Sequence, residues 1–207
     1  SLAGELDVTI SIGSLAVKTD DPDGRFANRS FLIDPSGQIV GQYDKIHMFD
    51  VQISESETYR ESSGYRPGER AIVADTALGK VGMAICYDMR FPLLANALAQ
   101  AGAQILLYPS AFSSITGAAH WHSLLRARAI ETGCYVIAAA QTGTHPTTGS
   151  KARSTYGHSL VVDPWGEVVL DAGVDAGVYA FNIEMDNVAK ARQKVPSLLN
   201  ARSFLAP

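Results

Sequence analysis

The size, charge and cysteine content of the chain narrow the kinds of protein it can be. Its 207 residues, 46% hydrophobic and 18% charged, suit a globular domain with a sizeable core. A net charge of -4 and a pI near 5.7 give no electrostatic basis for binding nucleic acid or an anionic membrane, so a small molecule is the expected partner. The two cysteines, Cys86 and Cys134, lie in apolar runs, which argues against a disulfide framework and favours a reducing, cytoplasmic location.

The N-terminus and the apolar runs give no sign of a membrane protein. Ser1–Asp7 lacks the basic and apolar regions of a signal peptide, and Ser1–Leu6 is more typical of a helix that leads into a strand. No apolar run approaches the roughly 20 residues that span a bilayer. We therefore expect no membrane partner.

Turn residues and β-rich runs predict strands in the first part of the chain. Val8–Val17 is one such run, and Ser30–Asp34 with Gln38–Asp44 predicts a hairpin across a Pro-Ser-Gly turn. The next stretch, Lys45–Arg70, is polar and lacks sustained periodicity. A structureless stretch of that length in a compact domain is usually functional or mobile, so we expect it to contribute to a site.

The rest of the chain alternates between predicted strands and helices, with a predicted loop at Gln141–Thr155. Several strands are apolar on both faces and must be covered on both sides, which predicts a layered α/β domain with mixed sheets. The predicted strands are Ala71–Asp75, Val81–Cys86, Gln104–Tyr108, Cys134–Ala140, Ser159–Asp163, Glu167–Leu170 and Val178–Ile183, and the predicted helices are Leu93–Ala101, Ala118–Thr132 and Met185–Val195.

Cys86 is the first candidate for chemistry. A cysteine at the end of a buried strand, before a polar turn and a helix, lies where α/β folds present reactive groups. The alternative is a core cysteine, an interpretation that suits Cys134 in the middle of its strand. Because a thiol with a pKa of about 8.5 is mostly protonated at neutral pH, a nucleophile needs a nearby base or cation. The polar stretch offers Lys45, Glu55, Glu57 and Glu61.

Two segments carry a family resemblance. Tyr43–Asp50 (YDKIHMFD), here called the lysine motif, and Ile85–Phe91 (ICYDMRF), here called the cysteine motif, resemble the corresponding motifs of the nitrilase superfamily. Within the superfamily the chain is most similar to the Nit branch, whose members are amidases of α-keto acid ω-amides or of deaminated glutathione. The resemblance continues through YPSAF at 108–112, TGAAHW at 116–121, RARA at 126–129, YGHS at 156–159 and DPWG at 163–166.

The resemblance implies a fold and an assembly. The fold is a four-layer α-β-β-α sandwich with two mixed sheets, which packs helix on helix into a homodimer or a larger homo-oligomer. It implies no cofactor and no metal. Residues 1–207 are then one carbon–nitrogen hydrolase domain.

The resemblance also implies roles for individual residues. The family uses a Glu–Lys–Cys triad, often with a second glutamate. Cys86 is then the nucleophile, Lys45 stabilises the oxyanion together with the backbone N–H of Tyr87, and Glu61 is the second glutamate. Glu55 and Glu57 are expected to be solvated. The remaining expected contacts to substrate are Ser110, Phe112 and Thr116, with Lys151 and Arg153 as candidates to meet a substrate carboxylate.

The sequence departs from the family pattern in two ways. The family's general-base glutamate belongs to a segment well upstream of the lysine, and Glu5 lies in no matching motif, so the domain is expected to be N-terminally incomplete and nearly inactive on its own. Further along, His122 follows Trp121 where the family usually has glutamate, and Leu93 replaces an acidic residue. These changes bear on substrate preference and on local ion pairs.

The predicted function is cysteine-dependent hydrolysis of a short carboxylate-bearing amide, through an acyl-cysteine thioester and with release of ammonia. The alternatives are a nitrilase, an N-carbamoyl hydrolase, and a non-catalytic binding protein of the same fold. A zinc hydrolase is disfavoured because His120 and His122 point to different helix faces, and a serine hydrolase because Gly-x-Ser-x-Gly is absent. His47 and His158 lie in no papain-like pattern and are expected to hold loops by hydrogen bonds.

Overall fold

Fourteen strands and five α-helices form within the residues that the computed structural model describes, 1–20, 22–55, 57–146 and 153–205. The helices are α1 (Leu2–Leu6), α2 (Pro92–Gln100), α3 (Ser114–Thr132), α4 (Asp186–Lys194) and α5 (Ser197–Asn200). The strands are β1 (Ile10–Lys18), β2 (Phe26–Ile33), β3 (Ile39–Asp44), β4 (Asp50–Ser54), β5 (Glu57–Arg60), β6 (Tyr65–Arg66), β7 (Ile72–Thr76), β8 (Gly79–Met83), β9 (Ile105–Leu107), β10 (Tyr135–Ala138), β11 (Thr142–His145), β12 (Arg153–Tyr156), β13 (Leu160–Val162) and β14 (Val168–Asp171).

Two mixed sheets hold ten of these strands, and the β4–β5 and β11–β12 pairs form two separate two-stranded sheets. The larger has six strands in the order β14-β13-β10-β9-β8-β7, with β8, β9 and β10 parallel and the outer pairs antiparallel. The smaller is the antiparallel set β1-β2-β3, with β6 added parallel to β2. The parallel strands lie in the part of the sequence where helices alternate with strands, because two parallel neighbours need a crossover connection between them. The prediction of mixed sheets is confirmed.

The core lies on both faces of the six-stranded sheet. One face packs against the smaller sheet through buried residues such as Tyr43 and Met83. The other face packs against α2 and α3 through Leu98, Trp121 and Leu125. Strands covered on both sides are apolar on both faces, which is the pattern that the sequence shows. The described residues thus stack helices, sheet and sheet in the predicted order, and the α/β class is confirmed.

Helix α3 lies unusually close to β12 because residue 117 is glycine. A Cβ at Gly117 would lie 2.3 Å from Cγ of Tyr156, closer than any real contact. This approach sets the first turn of α3 beside β12, and Thr116 in that turn lines the site described below.

Three segments differ from the prediction. Lys45–Arg70 is not structureless, because it holds the β4–β5 hairpin and the short strand β6. Gln141–Thr155 is not simply a loop, because β11 pairs with β12 there. The strand predicted at Val178–Ile183 is wrong: the segment has no assigned strand, and Val178 is fully exposed. The segment pairs with no neighbouring strand in the described structure, and a high β propensity alone does not form a sheet.

The other predicted strands and helices are confirmed to within a few residues, although the short helix α5 was not foreseen. Among the described residues, no helix has both the length and the apolar character needed to cross a bilayer.

Candidate active site

The seven residues predicted for the site all line one cavity of about 840 Å³. The cavity lies where β3, β8 and β9 end, so that Lys45, Cys86 and Ser110 each enter it from just beyond a strand. The carboxyl ends of neighbouring strands are where α/β sheets form their binding sites. The seven residues are Lys45, Glu61, Cys86, Tyr87, Ser110, Phe112 and Thr116.

Cys86 occupies a strained backbone position. Its φ of 48° is in the left-handed region, which side chains other than glycine adopt at a cost of about 1–3 kcal/mol. Two hydrogen bonds hold the turn: Cys86 N–H donates to the Pro109 carbonyl at 3.0 Å, and Asp88 N–H donates to the Ile85 carbonyl at 3.0 Å. Backbone strain of this kind persists only where the surrounding structure holds the residue in place. The strained residue here, Cys86, lines the cavity.

The groups around the Cys86 thiol shift its pKa in opposite directions. Burial raises the pKa of Cys86 above its ordinary value, because a thiolate loses its hydration there. The positive charge of Lys45, the Ala111 backbone and the Ser110 side chain act to lower the same pKa. Burial therefore favours the protonated thiol at Cys86, while the neighbouring groups favour its anion once a base removes the proton.

Lys45 and Glu61 form a buried ion pair. The Lys45 side chain is 3% exposed, and its ammonium donates to Oε2 of Glu61. The same carboxylate accepts from the Phe49 N–H at 2.6 Å and from Nδ2 of Asn28 at 2.9 Å. Three donors thus fix Glu61, and Glu61 in turn fixes the ammonium. Asn28, which lies on β2 and was not foreseen as part of the site, also accepts the Lys45 N–H through its carbonyl at 2.9 Å.

A second buried carboxylate, Asp88, ties the lysine motif to the cysteine motif. Its Oδ2 accepts from the Tyr43 hydroxyl at 2.7 Å and from the Ile85 N–H at 2.9 Å. Its Oδ1 accepts from the His47 N–H at 3.1 Å and contacts His47 Nδ1 at 2.7 Å. Burial, reinforced by the Asp88 charge, raises the pKa of Tyr43, so this phenol stays a donor. The residues flanking Lys45 and Cys86 are therefore fastened to one another.

Asp88 received no role from the sequence. The available signal was its place in the cysteine motif, two residues after the nucleophile and fully buried in the structure. His47 also stacks on Phe91 with ring centroids 3.5 Å apart, so one ring face and one ring nitrogen are used structurally. The expectation that His47 holds a loop is confirmed.

The other predicted contacts form the walls of the cavity. Ser110 is buried, with its hydroxyl donating to the Tyr108 carbonyl at 2.9 Å. Phe112 is 4% exposed and packs on Trp121 with ring centroids 5.1 Å apart. Thr116 has a buried Oγ1 that lacks a hydrogen-bond partner among the described residues. Tyr87 follows Cys86 in the first turn of a 3-10 helix, so its N–H is one of those that a helix start leaves without an intrahelical acceptor.

Two arginines line the same cavity. Arg60 contacts the Tyr59 carbonyl at 3.5 Å, and Arg153 contacts the Ala111 carbonyl at 3.3 Å. Neither forms a salt bridge within the described ranges. Lys151, the other cation expected to meet a substrate carboxylate, lies outside the described residues.

The remaining loop carboxylates differ from one another. Glu55 is exposed as expected. Glu57 is not simply solvated, because its Oε1 accepts from the Tyr59 hydroxyl at 2.9 Å and from Ser113 Oγ at 3.2 Å. Glu5, on α1, has a 74% exposed side chain and does not line the cavity.

Comparison with known proteins identifies the family. A family model described as carbon-nitrogen hydrolase matches residues 1–193. The deaminated glutathione amidase of Yersinia enterocolitica is 42% identical over 209 residues, covering 100% of this chain and 72% of the relative. The deaminated glutathione amidase of Mus musculus is 46% identical over 207 residues, covering 99% of this chain and 63% of the relative. This chain therefore spans less than two thirds of the Mus musculus protein.

A solved structure shows the same fold. The crystal structure of the C. elegans NitFhit protein matches with a TM-score of 0.85 and 40% sequence identity, covering 97% of this chain and 48% of that one. The motifs, the fold and these relatives agree: the chain belongs to the carbon–nitrogen hydrolase family, within the nitrilase superfamily.

Proposed function

We propose that the chain carries the catalytic centre of an amidase that acts on a short amide bearing a carboxylate, such as deaminated glutathione or the ω-amide of an α-keto acid. The observation that carries the proposal is the joint placement of Cys86, the buried Lys45 ammonium and Glu61 on one cavity. The naming of the relatives as deaminated glutathione amidases supports the choice of substrate.

The chemistry runs through a covalent intermediate. Cys86 gives its thiol proton to the general base that the family resemblance implies, and its Sγ attacks the amide carbonyl, whose oxygen becomes an oxyanion that Lys45 and the Tyr87 N–H stabilise. One such preorganised donor is typically worth about 2.7–4 kcal/mol. Collapse of the tetrahedral intermediate breaks the C–N bond and releases ammonia, which takes up a proton on leaving. Water then hydrolyses the acyl-cysteine thioester and regenerates the thiol.

Lys45 and Glu61 serve this reaction by position and charge. Lys45 must stay protonated to hold the oxyanion, so it does not act as the base. Glu61 is the only carboxylate lining the cavity in the described part of the chain, and its three hydrogen bonds suit it to orienting Lys45. The general-base glutamate that the family resemblance implies therefore has no counterpart among the described residues of the cavity.

The arginines suggest how a substrate carboxylate is recognised. Arg153 and Arg60 line the cavity that holds the nucleophile, and guanidinium groups bind carboxylates through paired N–H donors. A substrate anchored by its carboxylate at this wall would present its amide to Cys86. This arrangement favours an amide with a distal carboxylate over a neutral aliphatic nitrile.

A second candidate is a non-catalytic binding protein of the same fold. It is favoured by one observation, the lack of a second carboxylate on the cavity wall within the described residues. It is disfavoured by the strained, thiol-bearing turn at Cys86, since strain is kept where the surroundings are built to hold it.

Ammonia release separates the candidates. We expect the full-length protein to release ammonia from deaminated glutathione and α-keto ω-amides, and an intact-mass measurement to show an acyl adduct on Cys86, whereas residues 1–207 alone are expected to be nearly inactive. Cys86→Ala should abolish both, because loss of a covalent nucleophile costs many powers of ten. Cys134→Ala is the matched control and should keep both, with a modest loss of stability from a small cavity. Substantial hydrolysis by the Cys86 variant, or an adduct on Cys134, would show that the nucleophile is wrongly assigned.

Assembly and location complete the proposal. The helical layer presents large apolar side chains to solvent, with Leu93 84% exposed, Ile115 58% and Ile130 53%. We propose that these helices pack against those of a second copy, giving a homodimer or a larger homo-oligomer, which sedimentation measures directly. Both cysteines are free, as a reducing compartment requires, and we propose a cytoplasmic location.

A further inference from the structure

A cluster of three side chains of types that can bind metal ions lies outside the lining of the cavity, on residues that the proposed reaction does not use. Nε2 of His122 lies 2.9 Å from Oδ2 of Asp171, and Nδ1 of His158 lies 2.9 Å from Oδ1 of the same carboxylate. One ligand atom from each residue falls within 4.8 Å of both others. The residues come from α3, from the turn after β12 and from the end of β14, so only the fold brings them together.

We propose that His122, His158 and Asp171 bind one divalent cation of the zinc type. Two imidazole nitrogens and one carboxylate oxygen form a donor set that suits Zn²⁺, with a fourth position left for water. Tetrahedral Zn²⁺ with bonds of about 2.0–2.2 Å needs ligand atoms about 3.3–3.5 Å apart. The two His–Asp distances of 2.9 Å would lengthen by a few tenths of an ångström, and all three ligand atoms already lie within 4.8 Å of one another.

The two imidazoles are held in place before any ion arrives. The His158 ring stacks on Tyr156, with centroids 4.4 Å apart and planes 25° apart, and His122 meets His158 edge-on at 5.3 Å. The backbone of His158 has a φ of 56°. Its N–H donates to the Gly173 carbonyl at 2.6 Å, and its carbonyl accepts from Trp121 Nε1 at 2.8 Å. Because the two rings are already held, binding a cation costs little further side-chain entropy.

The charge of the cluster also suits a cation. An aspartate carboxylate is ordinarily ionised at neutral pH, and the two oxygens of Asp171 face the two imidazoles. Each imidazole presents a lone pair once its proton sits on its other ring nitrogen, so binding needs no redox step and no further reactant. The His122 and Asp171 side chains are each 34% exposed, which leaves an entry path.

The alternative for this cluster is a hydrogen-bonded His–Asp–His clasp without an ion. His122 stands where the family usually has glutamate, so the cluster is a feature of this chain rather than of the family pattern. The two interpretations differ in one measurable respect, the affinity for a free divalent ion.

The test is metal binding to the purified protein in a Cys86→Ala background, which removes the Cys86 sulfur as a competing ligand. We expect one Zn²⁺ per chain by equilibrium dialysis, and a visible tetrahedral spectrum with Co²⁺. His122→Gln and His158→Ala should each weaken Zn²⁺ binding more than about 100-fold, beyond what loss of an outer partner of a ligand costs. His120→Ala, on the same helix but outside the cluster, should bind as the parent does.

His122→Gln keeps the test decisive, because it replaces a one-third exposed helix residue and retains a donor for Asp171. Its melting temperature without metal should match the parent, while stabilisation by added Zn²⁺ should disappear. No Zn²⁺ bound at stoichiometric concentration, or equal affinity in the His122 and His120 variants, would reduce the cluster to a hydrogen-bonded clasp and overturn the proposal.

Discussion

Replacing Asp88 with asparagine tests how strongly the two motifs are fastened together. The carboxylate accepts from the Tyr43 hydroxyl and the Ile85 N–H on one oxygen and contacts His47 twice on the other. An amide has one oxygen, so its NH₂ group must face two of these donors. Rotating the amide only exchanges which pair of donors it faces.

The cost follows from counting buried donors without an acceptor. If the Tyr43 hydroxyl turns to accept from the new NH₂ group, one backbone N–H is still stranded, at about 1–3 kcal/mol. If it does not, two donors are stranded, at roughly 2–6 kcal/mol. Against the ~5–15 kcal/mol that stabilises an ordinary domain, Asp88→Asn should shift the urea midpoint severely.

Activity should fall as well, measured per folded molecule. Asp88 touches residues next to Lys45 and Cys86, and misplacing a reacting group by about 1 Å can cost on the order of 100-fold in rate. We expect kcat to fall far more than KM rises, together with slower alkylation of Cys86. Asp75→Asn, whose side chain is 82% exposed, is the control and should change neither quantity. An Asp88 variant with stability and kcat close to those of the parent would refute this reasoning.

Three further predictions concern the reacting groups. Glu61→Gln strips the buried Lys45 ammonium of its charge partner and should lower the free energy of unfolding by about 3–5 kcal/mol in urea titrations; a loss below about 1 kcal/mol would contradict a buried pair. Lys45→Arg should lower kcat far more than it raises KM, because a planar guanidinium cannot place its charge where the ammonium lies, and steady-state kinetics near the parent values would demote Lys45. Because burial raises the pKa of Cys86, the protonated form is favoured on folding, and iodoacetamide labelling of Cys86 should still be accelerating at pH 9; a plateau below pH 8 would show a lowered pKa instead.

The motifs located the site better than the local patterns located the secondary structure. The positions of Lys45, Glu61 and Cys86 on one cavity followed from short sequences whose spacing suits a strand end and a turn. The β4–β5 hairpin was missed because its strands are short and mostly polar, so they show little alternation. Val178–Ile183 was overpredicted because composition does not reveal whether a neighbouring strand is present.

Contacts between distant residues were the hardest to foresee. Asn28 meets Glu61 across 33 positions of sequence, and His122 meets Asp171 across 49, with no local pattern to join either pair. The Asp88 contacts have the same character, since Tyr43 lies 45 positions away. Such pairs form only once the sheets and helices have packed. A pattern of neighbouring residues in the sequence carries no information about that packing.

The left-handed backbone at Cys86 also bears on how this protein can change over evolutionary time. Glycine adopts a φ of 48° without the cost of about 1–3 kcal/mol that a cysteine incurs there. Selection for stability alone would therefore drift this position toward glycine as soon as the thiol ceased to matter. A lineage that keeps cysteine at position 86 is therefore less stable than its glycine variant would be. The only group it gains in exchange is the thiol.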